Sequence, residues 1–399
     1  MDNNGRTAIL VIHGAGEQNP FETLDRFIQG LWNAAKVHFQ MDENNLYRIT
    51  QLKKSHPTED PPESWLDNYI ALDTMADIPS IDIYEHYWAH QVTDKATVRD
   101  ILDWLKMAST TGETLYELLL KPSEHLLSRY EDTNRRKMKI FNRRGYFRRN
   151  AYRHKIQWQV RITLILMGLL EESAVGNAPG LKMFLNHTRR KLERLLIQYL
   201  GDVVIYTNPD RKALHYEIRQ KIIQGLKMHI DTILQDDRYT SMLLIGHSLG
   251  SVIAYDVLNE IHTTPGVREH HKKLQGFITL GSPLDMFAFF FREAKKEYYI
   301  RRQILENIYC FKARRLDLRE RSIEVFSAVP HHLDHVYWIN FWDQKDPIGG
   351  HLMFYDVDEN IHFIMEKSRG GATHVAFWDH DPMYMKILET FFPRPDNHL

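Results

Sequence analysis

The sequence predicts an α/β fold on a mostly parallel sheet flanked by helices, interrupted by a large helical insertion. Three observations carry this. Ala8-Ile9-Leu10-Val11-Ile12 is an unbroken apolar run of strand length, the pattern of a strand buried on both faces. Leu243-Leu244-Ile245 leads through Gly246-His247-Ser248-Leu249-Gly250 into a segment with a helical apolar face. Strand-like and helix-like segments alternate along the chain, which implies crossover connections and parallel pairing.

The elements follow in order. After the first run, Phe21 to Phe39 repeats Leu24, Phe27, Ile28, Leu31, Trp32 and Ala35 at helical spacing. Tyr47 to Tyr87 reads as strand in pieces around Pro57, Pro61 and Pro62. Within it Ile81-Asp82-Ile83-Tyr84-Glu85 alternates as a strand would. From Ala96 to Leu200 the periodicity is almost wholly helical. Gly201 to Tyr206 reads as a return towards the sheet, and Arg211 to Leu234 as an amphipathic helix. Phe277 to Leu280 and Val336 to Phe341 are the next strands, and a last helix covers Pro382 to Phe391. The expected domains are a core of 1–90 and 201–399, a helical cap inserted over 91–200, and a smaller insertion at 286–332. Phe287, Phe289, Phe290 and Phe291 of the latter either line a pocket or pack it into the core.

Bulk properties narrow the class. The chain has 399 residues, 43% of them hydrophobic, enough for a large core, and its net charge of −1 gives no global signature of nucleic-acid binding. A single cysteine, Cys310, excludes an intrachain disulfide and fits a reducing compartment. The polar start, Met1 to Arg6, reads as lacking a signal peptide. The longest apolar run, Ile162 to Leu170, is far shorter than the ~20 residues of a membrane span. A cytoplasmic protein is expected, with peripheral membrane contact open.

Gly-x-Ser-x-Gly between a strand and a helix is the context of a nucleophile elbow, a tight turn that exposes the serine hydroxyl. Gly246 and Gly250 omit side chains that would collide in that turn. The bare pattern occurs by chance in about one chain in ten of this length; its setting between an apolar strand and a helical face raises its value. Activating a serine takes a base, an acid that orients the base, and donors for the oxyanion. In this architecture the order along the chain is serine, acid, histidine. Asp346, opening a Pro/Gly loop after an apolar strand, is the preferred acid, with Asp343 and Asp285 as rivals. His374, on a Gly-rich loop just before the last helix, is the preferred base, with His380 as rival. His13-Gly14-Ala15-Gly16 after the first strand supplies the oxyanion loop. The N–H groups of Ala15 and Leu249 are the expected donors, and Gly14 allows close approach.

Together Val11 to Gly16, Gly246 to Ile253, Asp346-Pro347-Ile348 and His374 to Trp378 resemble the α/β-hydrolase superfamily. Asp202-Val203-Val204-Ile205-Tyr206 and the Asp-Pro and His-x-x-x-Trp segments are most similar to the intracellular DDHD-type phospholipases and related bacterial hydrolases. The four-residue signature that names the DDHD type is not found. The resemblance covers about half the chain and implies Ser248 as nucleophile, Asp346 as acid and His374 as base.

Between Asp132 and Glu171 there is no acidic residue, while Arg135 to Arg161 is dense in Arg and Lys interleaved with Phe141, Tyr146, Phe147, Tyr152 and Trp158. This stretch, 135–161, either pairs with the acidic segment Glu59 to Asp103 or docks on anionic lipid; pairing is slightly preferred, and nucleic acid ranks last. No cofactor is expected. No metal site is expected either. His270-His271 and His331-His332 are adjacent pairs, and neighbours in sequence do not share a helix face, so they read as surface histidines. The expected activity is cleavage of a carboxylic ester, of lipid or acyl-chain type, through an acyl-enzyme. The alternative is a catalytically silent α/β-hydrolase fold that binds a membrane or partner through the basic cap.

Overall fold

The computed structural model describes residues 5–16, 19–40, 48–50, 69–73, 80–93, 95–97, 99–101, 104, 201–207, 214–263, 269–284, 311–312, 315–318, 321–324, 331–346, 348–352, 355, 357–364 and 371–394. The chain divides into two compact units. The first is Met1–Thr93, Asp210–Ala288 and Glu293–Leu399; the second is Asp94–Pro209 with Phe289–Arg292. The basic stretch 135–161, Cys310, Asp285 and the four phenylalanines of 287–291 lie outside the described residues.

In the first unit an eight-stranded sheet forms from β1 (Arg6–Ile12), β2 (Arg48–Thr50), β3 (Tyr69–Asp73), β4 (Ile81–His86), β5 (Tyr239–His247), β6 (Leu274–Leu280), β9 (Tyr337–Trp342) and β10 (Glu359–His362). Its order is β10-β9-β6-β5-β1-β4-β3-β2. The six strands from β10 to β4 run parallel, and β3 and β2 are antiparallel additions at one edge. Two further short strands, β7 (Arg315–Leu318) and β8 (Arg321–Glu324), pair antiparallel in a separate sheet. The helices are α1 (Glu22–His38), α2 (Leu214–Gln235), α3 (Leu249–Thr263), α4 (Gly371–Val375) and α5 (Asp381–Phe391). This is the α/β-hydrolase fold.

The apolar runs account for the sheet. Ala8 to Ile12 are fully buried because β5 and β4 flank β1 and helices cover the sheet. Ile9 and Val11 join one core cluster with Leu24, Phe27 and Leu31 of α1 and Met383, Ile387 and Leu388 of α5. Ile12, of the other parity, meets α3 at Gly250. α2 then packs its Ile222, Leu226, Ile230 and Ile233 inwards. At ~25 cal/mol per Å² of apolar surface removed from water, each such fully buried Leu or Ile contributes about 2 kcal/mol.

β4 departs from its alternating pattern, since all six residues are buried. Pairing with β1 and β3 encloses it, and the two acids on it find internal partners. Asp82 is fully buried, ion-paired with Arg6, and accepts a hydrogen bond from the Tyr239 hydroxyl at 2.6 Å. Glu85 accepts the Phe21 amide at 2.5 Å, at the start of α1, where a helix N-terminus favours negative charge. Burial raises its carboxyl to about 7. These two acids are therefore engaged inside the core, which removes them from the acidic segment that was expected to balance 135–161.

A second departure concerns 201–207, which is helical and belongs to the second unit; the expected return to the sheet does not occur there. Val204, Ile205 and Tyr206 are buried. Three consecutive buried apolar residues are read equally well by a buried strand and a buried helix. In the same unit Thr207 accepts the Trp104 indole N–H at 2.6 Å. Thr97 and Asp100 cap a helix start reciprocally, each side chain accepting the other's backbone N–H. Among the described residues no helix is long and apolar enough to cross a membrane.

Candidate active site

Strand register gathers the site. Ile12 pairs with Gly246, Gly246 with Thr279, and Leu280 with Phe341. The carboxyl ends of β1, β5, β6 and β9 thus lie side by side, and the loops that leave them share one crevice, where ligands bind in open parallel sheets. These loops carry His13 to Gly16, Ser248, Gly281-Ser282 and Asp343 to Asp346.

Ser248 sits between β5 and α3 with φ 50°, a left-handed conformation that a non-glycine residue holds only under constraint. The constraint is visible. The Ser248 amide donates to the Leu280 carbonyl at 3.0 Å, and the Ser248 carbonyl accepts the Ser251 amide at 3.0 Å and the Ser251 hydroxyl at 2.5 Å. The Ser251 hydroxyl also lies 2.7 Å from Ser282 Oγ, tying the turn to the end of β6. The flanking glycines are required as expected: a Cβ on Gly246 would stand 2.5 Å from Ser251 Cα, and one on Gly250 would stand 2.4 Å from the His13 carbonyl oxygen.

The Ser248 hydroxyl is 2.7 Å from His374 Nε2, and His374 Nδ1 is 3.0 and 2.9 Å from the two carboxylate oxygens of Asp346. Nδ1 faces a carboxylate that only accepts, so Nδ1 carries the proton and Nε2 is left to accept from the serine. Asp346 is fully buried, and Ser248 and His374 are 7% and 8% exposed, so a small opening to solvent remains at the serine–histidine end. Asp346 Oδ1 also accepts the Ile348 amide at 2.8 Å.

Two of the rivals, Asp343 and His380, are engaged otherwise. Asp343 folds its own turn, accepting the Lys345 amide at 2.6 Å. His380 precedes α5 and packs edge-on against Phe363, with ring centroids 4.5 Å apart. His374 itself is in the short helix α4, which begins at Gly371, and not in a loop.

The loop after β1 reaches the serine: a Cβ on Gly14 would lie 2.9 Å from Ser248 Cβ. His13 shapes this loop. It is buried and stacked on Trp88 at 4.8 Å. The Trp88 amide donates to His13 Nε2 at 3.0 Å, which leaves Nδ1–H to donate to the Gly14 carbonyl at 2.8 Å, and the Trp88 indole donates to the His13 carbonyl at 3.1 Å. Leu249, the first residue of α3, is buried, and Ala15 is partly exposed.

Two contributors escaped the sequence reading. His247 is buried, and its Nε2–H donates to the His374 carbonyl at 2.8 Å. Burial lowers its pKa to about 3, so it stays neutral and holds the backbone of His374. Its place beside the serine was the available signal. Gly281 has φ +53°, and a Cβ there would stand 2.9 Å from Asp346 Oδ2 and 3.1 Å from His374 Nδ1. We expect Gly281→Ala to destabilise the fold by about 1–2 kcal/mol from the backbone alone, with more from the clash. A thermal melt checks this, and an unchanged Tm would contradict it.

Outside the crevice, the histidine pairs read as surface groups are partly buried. His262 is fully buried and stacks on His331 at 4.9 Å, with His332 at 6.2 Å. His270 and His271, both partly buried, face Asp231 of α2, with Nε2 atoms 3.9 and 3.2 Å from its Oδ1.

The fold and this crevice define an α/β-hydrolase-type protein. Residues 211–285, which span α2, the elbow, α3 and β6, match the family described as Lecithin:cholesterol acyltransferase. That likeness fits the lipase and esterase side of the superfamily and gives no support to the DDHD type in particular. No curated protein and no solved structure matches the chain.

Proposed function

We propose that this protein is a serine hydrolase that cleaves a carboxylic ester of lipid or acyl-chain type. The observation that carries the reading is the hydrogen-bonded chain Ser248–His374–Asp346, 2.7 and 2.9 Å long at its two links, at the carboxyl edge of the sheet. Ser248 Oγ attacks the ester carbonyl carbon while His374 Nε2 takes the hydroxyl proton. Asp346 stabilises the imidazolium and keeps its Nδ1 proton in place. The backbone N–H groups of Ala15 and Leu249 hold the oxyanion; Leu249 is at a helix N-terminus, whose dipole favours that charge. The tetrahedral intermediate collapses, the C–O bond breaks, and His374 returns the proton to the departing alkoxide. Water then attacks the acyl-enzyme by the same route. An alcohol in place of water makes the reaction an acyl transfer, and the likeness of 211–285 to an acyltransferase family keeps this outcome within the reading. A basic segment at 135–161 would bring such an enzyme to anionic lipid.

The test is labelling with a fluorophosphonate probe, which reacts with activated serines. Wild type should label and Ser248→Ala should not, and an ester series should then rank acyl-chain length. A folded wild-type protein that stays unlabelled, with and without anionic vesicles, would overturn the proposal.

A further inference from the structure

We infer that Asp231, His270 and His271 form a binding site for a zinc-type divalent transition-metal ion. Asp231 is on α2. The two histidines are on the 3-10 turn Glu269–Lys273 that leads into β6. One carboxylate oxygen and two imidazole nitrogens from these residues all lie within 4.8 Å of one another. Zinc bonds to His nitrogen and carboxylate oxygen are about 2.0–2.2 Å, so ligand atoms on a tetrahedral ion stand roughly 3.3–3.5 Å apart. The Asp231 oxygen is 3.2 Å from His271 Nε2 and 3.9 Å from His270 Nε2. An ion between them requires these ligand atoms, all within 4.8 Å of one another, to close up by at most about 1.5 Å. Adjacent histidines diverge on an α-helix, but in this turn their rings stand at 78° with centroids 4.7 Å apart, and both Nε2 atoms reach the same carboxylate.

The surroundings suit a cation. The neighbouring ammonium groups are held elsewhere: Lys272 pairs with Glu269 at 2.6 Å, and Lys273 donates to the Asp236 carbonyl at 3.1 Å. The three ligand side chains keep 12–21% of their surface exposed, enough for an ion to enter and for water to complete its shell. Two imidazoles with one carboxylate select zinc, cobalt or nickel over magnesium or calcium, which take oxygen ligands. The site is at the amino end of β6, whereas Ser248 is bonded at the carboxyl end through Leu280. Six strand steps put about 20 Å between them. The ion therefore clips α2 to the entry of β6 and takes no part in acyl chemistry.

The experiment titrates the whole, tag-free, chelator-treated chain with zinc chloride by calorimetry and with cobalt(II) by visible absorption. Wild type should bind one equivalent with tetrahedral cobalt bands and show a raised Tm. Asp231→Asn, which keeps a hydrogen-bond acceptor for His271, should weaken zinc on the order of tenfold or more. The double variant His270→Gln/His271→Gln should lose both the bands and the Tm rise. Metal-free melts of the variants confirm that they fold. With 22 histidines in the chain, adventitious binding is the alternative. Zinc stoichiometry and affinity unchanged in the double variant, or no binding to wild type, would refute the site.

Discussion

Asp346→Asn is expected to lower ester turnover by about 10⁴-fold while leaving the fold intact. The geometry states which way the amide turns. Asp346 Oδ1 accepts the Ile348 amide at 2.8 Å and lies 3.0 Å from His374 Nδ1, while Oδ2 is the nearer oxygen to that nitrogen at 2.9 Å. In the variant the carbonyl oxygen must take the Oδ1 place, since an NH₂ there would oppose the Ile348 N–H. The NH₂ then points at His374 Nδ1 and donates to it. The imidazole proton moves to Nε2, which can no longer accept from Ser248. Turnover that survives within about tenfold of wild type, with an unchanged Tm, would remove Asp346 from the role proposed for it. A partial recovery of the variant at high pH, where hydroxide assists the serine, is the expected signature of a tautomer fault and not of lost folding.

The second large effect is on acid stability. His13, His86, His229 and His247 are all buried within the first unit. Burial lowers them, to about 4 for His13, about 3 for His229 and His247, and well below the ordinary value for His86. In the unfolded chain each titrates near 6.5. Between pH 6.5 and about 4 the unfolded chain therefore binds more protons, and stability falls as pH falls. Above pH 6.5 the contribution is complete. Glu85 works in the opposite direction: with its carboxyl raised to about 7, the folded chain holds a proton that the unfolded one lacks from about pH 7 down to its ordinary range, and this offsets about one histidine. These four histidines less Glu85 give an uptake of about three protons and a slope of roughly 4 kcal/mol per pH unit. Typical total stabilities are 5–15 kcal/mol, so unfolding near pH 5 is expected.

Thermal melts from pH 8 to 4.5 measure this, and a Tm flat between 6.5 and 5 would refute it. His229 supplies an internal check. It is wedged against His86 and Tyr84, with ring distances of 5.7 and 5.6 Å, and its two ring nitrogens have no hydrogen-bond partner among the described residues. His229→Leu should lower the slope by about one proton and raise Tm at pH 5.5.

Much of this molecule is legible in one dimension because its signals are local. The run Ala8 to Ile12 fits a strand enclosed on both sides, and β1 is one. The elbow announces itself because a turn this tight needs small residues at 246 and 250, whatever surrounds it. The succession Ser248, Asp346, His374 was chosen by the order of serine, acid and histidine along the chain. Where periodicity is short or absent, the reading failed. The stretch 201–207 shows too few residues to separate a buried strand from a buried helix. The alternation in β4 implied a solvent face, yet β1, β3 and the start of α1 enclose it and supply partners for Asp82 and Glu85.

What remained for the tertiary structure was every relation between residues far apart in the chain. Burial and polarity patterns are properties of segments. A hydrogen bond of 2.7 Å between residues 126 positions apart depends on strand register and loop path. So do the grip of His247 on the backbone of His374, the approach of Gly281 to the Asp346 carboxylate, and the meeting of His270 and His271 with Asp231. The sequence by itself determined the class of fold and named the residues that the proposed acyl chemistry requires. Only packing decided which histidines stay neutral, which carboxylates are held inside, and which side chains meet, because those outcomes depend on what the folded chain brings alongside each group.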